Sequence, residues 1–524
     1  MDYNSGVGLK ASLLPSQRFR LQFSSVAATA APLLLSIAGS GLSPLACAFS
    51  LSGVSIGTVV ILVIGIANNY TSVLMVRAAS RLGVSGYEEV VLAAGGRQAL
   101  QWCRVALIVL LFGTMCGSLA AIQETGARAM GELATETGYG VPQWLSSDPL
   151  GRTTLLVILT VFVVVPLSLA SLGEMMFVSL LGVALMVAIS AYLVFSAVMR
   201  DTDADADTVL LSLPQGSMKL TEAASIFGFA WYVQPYPLPL LRALPPGEQG
   251  AATLVAALHV TFVITGMAYL SVGLGGLFLF GEGHVPQDVL QGFHGRVGGT
   301  LAGAFCLYLM LCFAPNVVPL RETLVRLYHE SPMDSSLTKP MDSSLTKPMD
   351  SSVTKPMDSS LTKPMDSSLT KPMDSSLTKP TVSRALNPSR SHEDAMLPSS
   401  RSAVLPPLQN AAFTAALVGS SFGVAAVLPD ASAQIFALTG ATGVCAIGYV
   451  FPIYSFWCLP EDLGGARRPA PADRWPRSLY MWLTQRAWPT CVLFLGCAVS
   501  ILTLIAVFEQ WAHPAEASTC EAEP

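Results

Sequence analysis

The sequence predicts an all-α polytopic membrane protein with eleven transmembrane helices, and three observations predict it. Of 524 residues, 52% are hydrophobic and only 12% charged, where soluble domains carry roughly 25% charge; mean hydropathy is +0.55. Apolar windows of about 20 residues, long enough to cross a bilayer as helix, recur near 26 to 49, 54 to 76, 102 to 124, 153 to 171, 174 to 198, 222 to 241, 253 to 280, 298 to 320, 406 to 428, 432 to 458 and 488 to 510. Finally, with the N-terminus cytoplasmic, all 29 Lys and Arg except Arg128, Arg152, Arg200, Lys219 and Arg296 fall on the cytoplasmic side, the bias that sets orientation. An odd number of crossings then leaves the C-terminus external.

These spans divide the chain into a cytoplasmic arm (1–25), spans one to five (26–198), spans six to eight (199–330), a cytoplasmic loop (331–403), spans nine and ten (404–460), a second cytoplasmic loop (461–487), span eleven (488–511) and an external acidic tail (512–524). The ten cysteines lie almost all within or beside spans and imply no disulfide framework. The first 25 residues lack a separate hydrophobic core followed by a small-residue cleavage site, so the first span should serve as its own insertion signal. The expected residence is the plasma membrane, with a vacuolar or lysosomal membrane as the alternative.

The first span, PLLLSIAGSGLSPLACAF from Pro32 to Phe49, carries Gly39, Gly41 and Pro44 where an uninterrupted span would hold Leu or Ile. A helix broken at that depth strands backbone N–H and C=O groups, which hydrocarbon penalises unless they line a protected cavity. Freed N–H groups suit a carboxylate and freed carbonyls a cation. The alternative is that small residues simply admit a neighbouring helix.

The sixth span, SIFGFAWYVQPYPLPLL, repeats this logic. Gly228 gives backbone freedom, Pro235, Pro237 and Pro239 remove donors, and Trp231, Tyr232, Gln234 and Tyr236 bring polar-tipped side chains. Interrupted helices at corresponding places in two halves are the strongest sequence pointer to a transporter site.

The second span closes with ANNYTSVLMVRAASRLG, followed by SGYEEVVLAAGGR; span seven ends YLSVGLGGLFLFGEGHVPQDVLQGF, span eight FAPNVVPLRE, and span ten holds Gly440-Ala441-Thr442 before Pro452. With the Gly-x-Gly of the first span and the aromatic, Pro-ended sixth, these stretches resemble the amino acid/auxin permease family over most of residues 26 to 460. The chain departs from the family's Pro-Tyr-Ala-Phe ending of the first span, with Ala46 and Cys47 before Ala48 and Phe49 and with Pro44 two residues earlier.

The resemblance implies a LeuT-like 5+5 inverted repeat, spans one to five and six to ten, with helices 1 and 6 broken, and a permease moving amino acids by alternating access. It places the substrate carboxylate on backbone N–H groups around Gly39, Ser40, Gly41 and Leu42, and the amino group on carbonyls around Phe229 and Ala230. Tyr232 and Gln234 would close over the ligand. No Asp or Glu sits centrally on spans one, six and eight, which favours neutral amino acids, since a buried cation needs a paired anion. Sodium-coupled relatives place hydroxyls on span eight; LAGAFCLYLMLCFAP has no Ser or Thr beside Cys312 to Ala314, so proton coupling or facilitative exchange is expected.

Glu124, Glu174 and Asn316 are candidates for coupling or gating, because ionisable or polar groups at membrane depth are functional candidates. Glu282 and Asp288 are expected at the outer vestibule or in turn chemistry. His259 is expected to be a packing residue. No metal cluster, nucleophile with a base or phosphate loop appears in the sequence, so no cofactor, catalytic residue, enzymatic activity or nucleic-acid partner is expected; uphill movement would draw on an ion gradient.

Six tandem MDSSLTKP octapeptides run from Met333 to Pro380, with Val353 their single variation. Each is neutral and too poor in apolar residues to build a core, which predicts a disordered cytoplasmic tether. Its readings are an expanded spacer or a kinase or docking-partner site; the latter admits an alternative function, an amino-acid sensor with a transporter-like body.

Overall fold

The computed structural model describes residues 15–137, 149–169, 176–199, 216–281, 285–286, 288–329, 407–428, 432–460 and 483–512. The octapeptide loop, the loop 461–482, the acidic tail, Glu174 and Glu282 lie outside the described residues. The chain divides into two compact units, residues 1–325 with 405–524, and residues 326–404; of the second, only 326–329 are described, as helix.

The described regular elements are all helical. They run α1 (Pro15–Ile37), a 3₁₀ turn (Ser40–Leu42), α2 (Leu45–Ser52), α3 (Val54–Leu82), α4 (Tyr87–Thr137), α5 (Pro149–Leu159), α6 (Val165–Leu169), α7 (Met176–Met199), α8 (Ser217–Ala230), α9 (Pro237–Leu241), α10 (Glu248–Phe280), α11 (Gly295–His329), α12 (Pro407–Val427), α13 (Ser432–Thr439), α14 (Phe451–Cys458) and α15 (Trp488–Ala512). A π-helical stretch (Thr160–Val164) joins α5 to α6, and two more (Gly440–Val444, Ala446–Val450) join α13 to α14.

Among the described residues, nine helices are long and apolar enough to cross a membrane, against eleven expected spans. The two not among them are the first and sixth segments, each divided into shorter pieces. Helix stops at Ile37 and resumes at Leu45 around Gly39, Gly41 and Pro44. It stops again at Ala230 and resumes at Pro237, with Pro at the first helical position, where its missing N–H costs nothing. Pro235 also disfavours helical backbone at Gln234, the residue before it, whereas Tyr236 keeps helical dihedrals (φ −93°, ψ −34°) as the residue that opens α9.

Two glycines are required by backbone sign. Gly53, at φ 72°, reverses the chain between α2 and α3, and Gly96, at φ 67°, bends the long α4; side-chain-bearing residues pay for that region. The stretch between the second and third expected spans is helical from Tyr87, and its Tyr-Glu-Glu has local duties. The Tyr87 hydroxyl donates to Ile447 O at 2.6 Å, buried Glu88 pairs with Arg104 at 2.8 Å, and Glu89 accepts from Ser85 N and Gly86 N at 3.3 and 3.2 Å.

The core lies where the broken segments meet the long helices. α1 packs on α10 and α7, and α2 on α8 and α10; Tyr269, Tyr308, Phe49, Phe227 and Phe313 are fully buried there. Phe162, Phe177 and Phe494 are about three-quarters exposed, at 74%, 77% and 75%, which suits a hydrocarbon surround and not water. His259 Nδ1 meets the Asn69 amide at 2.9 Å. One cysteine departs from expectation: Cys47 is disulfide-bonded.

Candidate solute site between the two interrupted helices

A helix that ends inside a bundle must hand its last carbonyls to something. At both interruptions that partner is Tyr269 of α10, whose buried hydroxyl lies 3.0 Å from Ile37 O and 2.5 Å from Ala230 O. A phenol has one proton to donate, so it satisfies one of these carbonyls at a time and leaves acceptor capacity on the other. The ring stands edge-on to Trp231, 5.0 Å between centroids, and Trp231 stacks on Phe262 at 5.2 Å. The breaks touch directly: a Cβ on Gly41 would lie 2.7 Å from Ala230 Cα.

Beside this junction is a hollow of ≈ 270 Å³ empty volume lined by the first break (Ser36, Ile37, Gly39, Gly41), α4 (Thr114, Ser118), the sixth break (Phe229, Tyr232) and α11 (Cys312, Asn316). None of the lining side chains is ionised, and its polar groups are amide, hydroxyl and backbone.

The polar lining is knit together. Asn316 Oδ1 accepts from the Tyr232 hydroxyl at 3.0 Å and from Tyr236, and Asn316 Nδ2 donates to Cys312 O at 3.0 Å. The Tyr232 hydroxyl also lies 2.9 Å from that of Tyr236 and 3.3 Å from Thr114 Oγ1. Thr114 Oγ1 donates to Leu110 O at 2.7 Å, so its oxygen is the alternative to Asn316 Oδ1 as acceptor of the single Tyr232 proton. Phe229 forms the apolar wall, 5.4 Å from the Tyr232 ring and 4.7 Å from Phe436.

Both ends of this assembly are tied. At one, Val289 N donates to Ser43 O at 3.2 Å, setting a 3₁₀ turn (Val289–Gly292) over the start of α2. Arg128 of α4 donates to Gln291 O and Phe293 O at 2.7 and 2.8 Å, and Glu132 accepts from Gly295 N at 2.8 Å. At the other end Arg242, just past α9, meets Glu322 of α11 at 3.0 Å and Ser85 at 2.9 Å.

Two broken helices that pool their peptide groups around a small uncharged hollow, in an otherwise hydrocarbon-facing bundle, are the architecture of a solute carrier. Comparison with known proteins agrees: residues 23–458 match the family described as transmembrane amino acid transporter protein. The chain belongs to that family. No curated protein matches the chain significantly.

In this amino acid transporter the residues singled out from sequence are distributed unevenly. Gly39, Gly41, Phe229, Tyr232 and Asn316 meet at the hollow. Ser40 and Leu42 form the 3₁₀ turn beside it, Leu42 fully buried, and Ala230 packs against Gly41. Gln234 is not at the hollow: its amide donates to Asn68 Oδ1 at 2.7 Å and Thr71 Oγ1 at 3.4 Å, while its oxygen accepts from Val233 N at 3.1 Å. Asn68 in turn donates to the Tyr449 hydroxyl at 2.7 Å, so Gln234 joins the sixth segment to α3 and the tenth. Glu124 also stands apart from the hollow, accepting from Gln291 Nε2 at 3.1 Å and Ser432 Oγ at 3.3 Å.

Ser36, Thr114, Ser118, Tyr269 and Cys312 were missed by sequence reading. Thr114 and Ser118 carried a signal: hydroxyls four apart share one face of a helix. Tyr269 stands in the family-like ending of span seven, but its role left no signal there, because two carbonyls distant in sequence make it.

Proposed function

We propose that this transporter carries neutral amino acids by alternating access between the two closures just described, coupled to protons or running as a facilitator and not driven by sodium. The uncharged lining of the hollow carries the reading. A cationic or acidic side chain would enter without a counter-ion, at a cost of several kcal/mol, whereas a zwitterion needs only dipoles for its two ends. The carboxylate would lie on backbone N–H groups at Gly39, Ser40, Gly41 and Leu42. The ammonium would take the carbonyl acceptor capacity that Tyr269 leaves at Ile37 and Ala230, and Phe229 would meet the side chain.

Cys312 and Asn316, and not Ser or Thr, face the hollow from α11, which supports the view that this helix lacks the hydroxyls of a hard-oxygen cation site. The proposal includes eleven crossings, a five-plus-five inverted repeat, a cytoplasmic N-terminus, an external C-terminus and residence in the plasma membrane. Gln234, held within its own amide network, is proposed as a fastening between helices and no longer as a ligand contact. Glu124, Glu174 and Asn316 remain gating candidates, Glu124 through the Val289–Gly292 turn and Asn316 through Tyr232.

The test is uptake of labelled amino acids by purified protein in liposomes, with pH and sodium gradients imposed separately. Alanine-sized and leucine-sized neutral substrates should accumulate, lysine and glutamate should not, and removing sodium should change nothing. Uptake that needs sodium overturns the coupling; uptake of lysine in preference to alanine overturns the substrate class.

A further inference from the structure

A second and larger hollow, ≈ 470 Å³ in empty volume, lies between α3, α8, the π-helical stretches Gly440–Val444 and Ala446–Val450, and α15, and it touches none of the polar solute site except at Phe229, which lines both. Its chemistry is hydrocarbon. Glycine, alanine and branched aliphatic side chains make most of the wall, and the hydroxyls present are turned back on their own helices. Ser225 donates to Glu222 O at 2.7 Å, Ser500 to Gly496 O at 2.9 Å and Thr503 to Val499 O at 2.8 Å, while the Tyr449 hydroxyl accepts from Asn68. A polar ligand would be desolvated there with little in return, whereas apolar hollows in proteins stay dry and take apolar guests.

The source of the guest is decided by α15. Phe494, Ile501 and Phe508 are 75%, 59% and 57% exposed, and Leu495, itself part of the hollow's wall, is 43% exposed. A membrane-crossing helix with that surface stands in lipid, and the hollow opens beside it. We propose that this crevice holds an acyl chain of a bilayer lipid, and that the chain acts as a backstop for Phe229.

The backstop follows from crowding. Phe229 is hemmed by the Tyr232 and Phe436 rings, 5.4 and 4.7 Å away, and Gly440, in the crevice wall, is so near that a Cβ there would lie 3.3 Å from Phe229 Cβ. The free space adjoining Phe229 away from the solute hollow is the crevice. A large substrate side chain makes room by pushing Phe229 that way, and an acyl chain already seated there resists it. The lipid therefore sets the upper size of substrate, a role that rests on the function proposed above; occupancy of the crevice does not rest on it.

Gly228 supplies the test, because it lines the crevice and a Cβ built on it meets nothing within 4 Å. The protein is reconstituted in phosphatidylcholine liposomes in which a fraction of the lipid carries a diazirine on its acyl chain, irradiated, and the label mapped by peptide mass spectrometry. Label is expected on inward-facing residues of 224–229 and 440–445 as well as on Phe494. Gly228→Leu should cut the inner labelling at least fivefold and leave Phe494 labelled, and Ser500→Leu, filling from the opposite wall, should do the same. Labelling confined to the outer face of α15, or inner labelling unchanged by both variants, overturns the site. With the site labelled, reconstitution in diphytanoyl phosphatidylcholine, whose methyl-branched chains fit the crevice less well, should raise the leucine-to-alanine uptake ratio about threefold, and Gly228→Leu should remove that dependence on the lipid; a ratio that does not respond to the lipid overturns the backstop. If no amino acid is taken up by the unaltered protein, the transport reading fails while the labelling still decides the crevice.

Discussion

Gly41 is where the two interruptions come closest, and single atoms decide its tolerance. A Cβ there would sit 2.7 Å from Ala230 Cα and 3.0 Å from Ala230 Cβ, backbone-anchored atoms that cannot swing aside, whereas one on Gly39 would meet Cys312 Cβ at an ordinary 3.8 Å. Overpacking of this kind costs about 1–3 kcal/mol. Gly41→Ala should therefore lower uptake about tenfold or more with membrane insertion intact, and Gly39→Ala should stay within about threefold, both measured per inserted protein in liposomes. Gln234 makes the opposite case. Gln234→Leu would leave Asn68 Oδ1 without its 2.7 Å donor, a loss of about 1–3 kcal/mol of stability. The thermal unfolding temperature should fall while alanine affinity of the folded protein is unchanged; a lost affinity at unchanged stability would return Gln234 to the ligand.

At the scale of elements, the interruptions of the first and sixth segments were legible because the residues that cause them are glycines and prolines, whose backbone limits are written in their names. The long helices were legible through hydropathy alone. The π-helical stretches were not, since an extra residue per turn leaves no signature of residue type, and neither was the turn at Val289–Gly292, whose bonds to Ser43 and Arg128 join residues far apart in sequence. Asp288 heads that turn, accepting from Leu290 N at 3.0 Å. Burial pushes its carboxyl above the usual 3.8, against the opposing pull of Leu290 N–H and Arg128. In an opened turn the carboxyl would regain its ordinary value. Protonation thus favours closure: the contribution is complete below about 4 and fades as pH rises through the raised value. The protection factor against hydrogen exchange at residues 288–293, taken relative to the intrinsic exchange rate at each pH, should be higher at about pH 4.5 than at about pH 7.5, and Asp288→Asn should abolish the difference. Lower protection in acid would reverse the sign and refute it.

Across the whole molecule, the family match spans both interrupted segments and stops at residue 458, before the last helix, and the octapeptide repeats fall between α11 and α12. Loop closure depends only logarithmically on length, about 0.6 kcal/mol for each doubling. Excising Met333–Pro380 should therefore alter the cost of bringing α11 and α12 together by no more than about 1 kcal/mol, in the favourable direction. Uptake by the shortened protein is expected within about twofold of the full chain, measured as initial rate per inserted molecule. A sensor that signals through the repeats makes a different forecast for cells: solute binding would persist while any downstream response to the amino acid disappears. Loss of both binding and uptake on excision would contradict the spacer and sensor readings alike, because it would make the repeats part of the folded carrier, a role that their scarcity of apolar residues argues against.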